Sequence, residues 1–189
     1  MQQCGQNLDF EVRWLPFQLD PSASEKPYSR MEAYAKKFGK GKEEVKQMGS
    51  WMKAKFDAAK LPYEFSEAAL ASNTFDAHRV LTAAYKHGGA EAQDRAAEAL
   101  FHSYFAKEKA PNDPEALKEA AKAAGLDGDA VLDKSFAASE TQEEMKVGQK
   151  LRVRGVPHFV IRTENSRTEQ ISGAQPPESF VEAFEALMR

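Results

Sequence analysis

The sequence predicts an α/β protein with strands at the two ends of the chain and helices between them. Three observations carry this. Between residues 8 and 15 apolar and polar residues alternate, with Leu8, Phe10, Val12 and Trp14 on one face and Asp9, Glu11 and Arg13 on the other, the period of a half-buried strand. From about residue 28 to 152 apolar residues recur at helical spacing between Gly, Pro and Asp punctuation, the signature of successive helices. From Pro157 strand chemistry returns, with one run to Thr163, a polar turn over 164–167 and a second run from Thr168 to Ser172.

In order along the chain, Pro16 ends the first strand and residues 18–27 form a loop rich in Pro, Ser and Asp. A helix is expected from about Tyr28 to Phe38, stopped by Gly39, because glycine takes the left-handed conformation that ends helices. A second covers Glu43 to Ala59 with Val45, Met48, Met52, Phe56 and Ala59 inward, the methionines serving as core filler. Leu61 to Phe65 is an extended link. Asn73 or Thr74 caps the next helix, since either side-chain oxygen can accept from first-turn amides. Phe75, His78, Leu81 and Tyr85 share one face of it, and Gly88-Gly89 closes it. Another helix runs from Glu91 to Lys107, and Asn112-Asp113-Pro114 opens one to Ala124, proline being suited to a first helical position. Asp127 caps a short helix to Ala138, and Ser139-Glu140-Thr141-Gln142 reads as a capping box for the helix that ends near Leu151. Pro176-Pro177-Glu178 opens a final helix with Phe180, Val181, Phe184 and Leu187 facing the sheet.

Composition excludes several classes of function. At 189 residues, 42% hydrophobic and 29% charged, the chain fits one domain with a sizeable core. A net charge of −3 without a basic stripe gives no footprint for nucleic acid or an anionic membrane. The longest apolar runs, such as Phe159-Val160-Ile161, fall far short of the roughly 18 residues of a membrane span. The N-terminal stretch MQQCGQNLDF has neither the charged nor the apolar region of a secretory signal, so the expected location is cytoplasmic. One cysteine, Cys4, excludes an internal disulfide, and His78, His87, His102 and His158 have no metal-binding spacing. No metal and no resident cofactor are expected.

The most informative stretch is Leu151 to Ile161, where Gly155-Val156-Pro157 leads into the strand. Proline lacks a ladder donor and fixes φ, so it belongs at a strand entrance or an edge, where something other than a strand can lie against it. Val156 is pushed towards an extended conformation by the proline after it. From the local pattern alone Pro157 is a trans proline that starts a strand.

Gly-Val-Pro before a strand, a second strand and a terminal helix resemble the last third of a thioredoxin fold. With Val12 to Pro21, the segment Asn73-Thr74-Phe75-Asp76-Ala77-His78-Arg79, and Ser172 to Pro177, the chain resembles the DsbA-like thioredoxin-domain family in its polyketide-oxidoreductase branch. The resemblance implies a single DsbA-like thioredoxin domain over residues 1–189, with a helical insertion at about 28–152 and core parts at about 8–20 and 153–189. It implies a cis Val156–Pro157 bond whose loop binds a peptide, a thiol or a small molecule by strand-like hydrogen bonds. It also places Asn73, Thr74 and His78 at a helix start facing the cleft; the alternative is capping by Asn73 and a satisfied core histidine at His78. His158 reads as a structural histidine or as a group that perturbs a nearby thiol, and Trp14 and Phe17 as packing residues.

In that family a C-P-x-C dithiol or a relative sits at the N-terminus of the first helix, where amides and the helix dipole stabilise thiolate. No C-x-x-C occurs here, and Cys4 lies only six residues before Phe10, too close to take the dithiol's place. The resemblance thus implies a fold that is N-terminally incomplete, without its first, central strand, its dithiol motif and most of its first helix. It implies a chain that begins at an internal methionine of a longer protein or completes its sheet in trans, and that alone self-associates through unpaired strands or folds poorly. The expected function is that of a DsbA-like thiol–disulfide oxidoreductase family member with no catalytic residue of its own. The alternatives are glutathione-dependent transferase or isomerase chemistry of the kappa-class type, with glutathione as co-substrate, and a non-catalytic peptide-binding module. Ser172-Gly173-Ala174-Gln175-Pro176 departs from the Asp-Arg pattern of the glutathione-dependent relatives.

Overall fold

The structure, a computed structural model, describes residues 8–189. Cys4 lies outside the described residues. The chain divides into two compact units, residues 13–145 and a second made by residues 8–12 with Lys146–Arg189.

The larger unit is helical. It holds β1 (Tyr28–Ser29), α1 (Arg30–Phe38), α2 (Lys42–Ala58), β2 (Leu70–Ala71), α3 (Phe75–Phe105), α4 (Pro114–Ala123) and the start of α5 (Ala138–Lys150). Local chemistry explains most boundaries. Ser29 Oγ accepts from Glu32 N, and Gly39 ends α1 at φ 63°. Asp113 Oδ1 accepts from Ala116 N with Pro114 in the first turn of α4. α3 is two helices that meet at a kink where the sequence places the break: Gly88 (φ −146°, ψ 26°) and Gly89 (φ 66°, ψ −158°) both leave helical geometry. The core lies where α3 meets α4: Val80, Ala84, Ala92, Ala96 and Leu100 pack on Leu117, Ala120, Ala121 and Ala124, with Val131 beneath. Alanine at most of these positions lets the helices approach closely, because interaxial distance follows the size of the side chains at the contact. β1 and β2 pair antiparallel over two residues each, too short a match for periodicity to register.

The smaller unit holds β3 (His158–Arg162), β4 (Thr168–Ser172) and α6 (Pro177–Met188). The strands pair antiparallel with His158 opposite Ser172 and Arg162 opposite Thr168. Phe159 meets Phe180 edge-on at 4.9 Å, Phe184 meets Phe10 at 5.0 Å, and Leu187 is buried. The face expected on α6 is the one that packs.

Three expectations are corrected. Residues 8–15 are not a strand; Phe10, Val12, Trp14 and Leu15 are 40–59% exposed. Alternation sorts side chains onto two faces, but a strand also needs a backbone ladder, and the ladders among the described residues join only β1 to β2 and β3 to β4. The helix expected from Asp127 to Ala138 is a single 3-10 turn, Ala130–Leu132. Arg79 reaches in from α3 and takes the carbonyls of Val131, Asp133 and Phe136, while Asp133 Oδ1 accepts from Ser135 N and Oγ. Both remove groups that a helix would use, and short polar side chains compete with helices in this way. Ser139 is no N-cap, because α5 already starts at Ala138; its hydroxyl donates to Glu140 Oε2.

Candidate functional site

The proline loop follows directly from α5. Leu151 N bonds to Val147 O, and Arg152 N and Val153 N bond back to Gln149 O and Gly148 O, closing the helix before the chain bends through Gly155. The Val156–Pro157 peptide is cis. Pro157 O accepts from Gly173 N at 2.8 Å, and Thr163 N donates to Arg167 O at 3.1 Å. Those two bonds fix the register: odd-numbered residues of β3 point their main-chain groups at β4, and His158, Val160 and Arg162 point theirs to the other edge. Among the described residues no strand occupies that edge. Val156 is 50% exposed, and neither its N–H nor its C=O has a partner among the described residues.

The His158 ring lies across the hairpin, Nδ1 at 2.9 Å from Ser172 Oγ and Nε2 at 3.2 Å from Gln170 Oε1. The Gln170 acceptor calls for a proton on Nε2, so Nδ1 accepts from the Ser172 hydroxyl. Val156, Pro157 and His158 thus stand together in the smaller unit.

Asn73, Thr74 and His78 stand together in the helical unit, at the start of α3. Asn73 Oδ1 accepts from Phe75 N and from Gln18 Nε2, and its Nδ2 donates to Pro21 O and Ala23 O. Its own N–H donates to Ser24 O. Asn73 therefore caps α3 and clamps the loop from Gln18 to Ser24 onto it. Thr74 is the residue at the cap position but makes no side-chain cap bond. His78 Nε2 donates to Phe17 O at 3.1 Å, and burial pushes its pKa down against the opposing pull of that carbonyl. Trp14 belongs to the same clamp: its N–H and C=O bond to the amide of buried Gln93, and its ring meets Phe101 edge-on at 5.7 Å.

The sign for His78 follows directly. A histidine held neutral by burial takes up its proton more readily in the unfolded chain. Stability of the helical unit is therefore expected to fall as pH drops through the ordinary value of 6.5. Thermal melts at pH 7.5 and pH 5 check this: His78→Gln, which keeps a donor for Phe17 O, should show a smaller loss than the unaltered chain. An equal loss in both would assign the pH dependence to other groups.

Sequence reasoning missed two buried arginines, Arg30 and Arg79, each 1% exposed. Arg79 donates to Asp76 Oδ1 through Nε and Nη2, and Lys134 holds the other Asp76 oxygen. Burial pushes the Asp76 carboxyl up, but Lys134 and Arg79 outweigh it and hold it below its usual value. Arg79 ends the segment Asn73 to Arg79, and nothing in its spacing marks it as buried. Among the described residues no group of three His, Cys, Asp or Glu could hold a metal ion, and no helix is long and apolar enough to cross a membrane.

No curated protein matches the sequence. A solved structure described as a probable DsbA oxidoreductase from Streptomyces coelicolor is similar at 29% identity, with a TM-score of 0.77 over 91% of this chain and 73% of that one. The order of elements, a helical unit followed in sequence by a proline loop, a hairpin and a terminal helix, agrees with that likeness. Residues 1–185 match the DSBA-like thioredoxin domain, and the chain belongs to that family.

Proposed function

We propose that this chain acts as a substrate-holding member of the DsbA-like family, binding an extended peptide at the proline loop and carrying out no thiol–disulfide turnover of its own. The observation behind the binding role is Val156: half exposed, with its main-chain donor and acceptor both unpartnered, next to the free edge of β3. An extended peptide satisfies such groups by strand-like hydrogen bonds, which supply affinity without demanding a particular side chain. Asn73 and His78 act in this reading as the clamp that orders residues 17–24, since their polar groups are already engaged. The absence of turnover rests on the cysteine count. A dithiol cycle passes through a mixed disulfide that a second thiol must resolve, and the chain has one cysteine. The departure at Ser172 to Pro176 continues to weigh against glutathione-transferase chemistry.

Two measurements test this. Insulin reduction by dithiothreitol should proceed at the uncatalysed rate with the chain present, and acceleration lost in Cys4→Ser would overturn the inactive assignment. A fluorescent alanine-rich peptide should bind, and the same peptide with alternate amides methylated should bind about tenfold or more weakly, each lost hydrogen bond being worth roughly 0.5–1.5 kcal/mol. Equal binding of the two peptides would remove the proline loop as a strand-like site.

A further inference from the structure

The helical unit contains a cavity of about 390 Å3, lined by Arg30, Tyr34, Met48, Trp51, Phe65 and Phe105 among others. Gly49 makes room for its wall. A Cβ there would lie 2.5 Å from Phe65 Cδ1, so only glycine lets that ring lie against α2.

Arg30 is the unusual member. Its guanidinium lies 4.0 Å from the centre of the Tyr104 ring and 5.7 Å from that of Phe65. Nη2 donates to Tyr104 O at 3.0 Å, and Nε is buried without a partner. No ion pair reaches it among the described residues. The contrast is Arg79, equally buried, which has a carboxylate and three carbonyls. Arginine does not lose its charge in proteins, and a buried charge is costly unless it is paired and hydrogen-bonded. Two aromatic faces return part of that cost, but they supply no counter-charge. Glu44, the carboxylate in the lining, is already taken: Oε1 accepts from Lys40 Nζ and Oε2 from Gly41 N, both at 3.0 Å. A cationic ligand therefore finds no free acceptor of opposite charge in the lining, whereas an anionic one finds Arg30.

We propose that this cavity binds a small carboxylic acid with an aromatic or short aliphatic body, its carboxylate against the Arg30 guanidinium and its body against Met48, Met52, Trp51 and Phe105. Arginine's planar fork matches a carboxylate. Methionine and aromatic walls adapt to a ring or a short chain. The volume lies at the small end of the roughly 300–1,000 Å3 typical of ligand pockets, which favours an acid of one ring over a lipid or a nucleotide.

The test uses the whole chain and three probes: phenylacetate, phenylacetamide and acetate. Binding is followed by the indole N–H signal of Trp51 in two-dimensional NMR. Phenylacetate should shift that signal saturably, phenylacetamide should bind about tenfold or more weakly, and acetate, which lacks the body, should leave the signal in place at about 10 mM. Met48→Trp, which fills the cavity from a half-buried position of α2, should abolish the phenylacetate shift while circular dichroism shows the helices retained. Arg30→Lys should weaken phenylacetate far more than phenylacetamide. Equal affinity for acid and amide, the absence of saturation by phenylacetate at about 10 mM, or undiminished binding to a folded Met48→Trp chain would each overturn the proposal. The comparison of acid with amide needs no substitution, so it stands even if Arg30 variants fail to fold.

Discussion

Replacing Arg79 with methionine is expected to cost about 3–5 kcal/mol of unfolding free energy, the range for breaking a buried ion pair from one side. The side chain is 1% exposed and the Asp76 side chain 10%, so water cannot easily take the place of the guanidinium. Removing it strips Asp76 Oδ1 of both donors and leaves the carbonyls of Val131, Asp133 and Phe136 without the donor they share. Lys134 still holds the second oxygen of Asp76 and keeps one counter-charge beside it, but its side chain is 63% exposed, and its bond goes to Oδ2, not to Oδ1 or to the three carbonyls. Asp76→Ala should be milder, at about 1–3 kcal/mol, because the guanidinium keeps its carbonyl acceptors. The double variant should cost less than the sum, with a coupling of about 0.5–3 kcal/mol, since the two residues act as one unit. Urea unfolding of the four chains gives all three quantities. A loss below about 1 kcal/mol for Arg79→Met would mean that solvent reaches the pocket and that the carbonyls do not depend on the guanidinium.

Arg79 also marks where the sequence stops being readable. Elements whose cause lies within a few residues were legible: the Gly39 stop, the Asp113-Pro114 start, the hairpin around residues 164–167 and the inward face of α6. Elements decided by distant partners were not. The composition of residues 127–138 suits a helix, but an arginine about fifty positions earlier claims its carbonyls. The alternation of residues 8–15 is genuine and yields no strand, because a ladder is a property of two segments. The site divides the same way. Gly155-Val156-Pro157 stood out because proline before an apolar run is a local anomaly. The work of Asn73 and His78 was ambiguous, because their partners, Gln18, Pro21, Ala23 and Phe17, lie fifty or more positions away. Burial of Arg79 leaves no periodic trace because the first half of α3 is buried nearly all round, and Arg30, the first residue of α1, is covered by Phe65 and Tyr104 from far along the chain.

Main-chain amides of β3 and β4 are expected to exchange with solvent at least about a hundredfold faster than those of α3 and α4, a difference of about 2.7 kcal/mol or more in opening free energy at roughly 1.36 kcal/mol per tenfold. The helical unit has a contiguous core of eleven buried apolar residues. In the smaller unit only Leu187 among the described apolar residues is buried, although a fully buried leucine or phenylalanine contributes about 1.5–3 kcal/mol. Its sheet has two strands of five residues, and a lone hairpin is marginal in water unless further strands or a helix cover it. Here α6 covers one face through Phe159 and Phe180, while the edge carrying the main-chain groups of His158, Val160 and Arg162 has no strand beside it among the described residues. An open edge with apolar neighbours is a template for another chain, so pairing between copies is the expected response at high concentration. Hydrogen exchange measured by NMR at two protein concentrations separates the effects. At low concentration β3 and β4 should exchange fast and α3 and α4 slowly; at high concentration protection should rise first at Val160 and Arg162, whose amides face the open edge, and only then at Phe159 and Ile161. Protection in β3 equal to that in α4 at the lower concentration would show that the smaller unit is stabilised as fully as the helical one, and would remove the open edge as a source of instability.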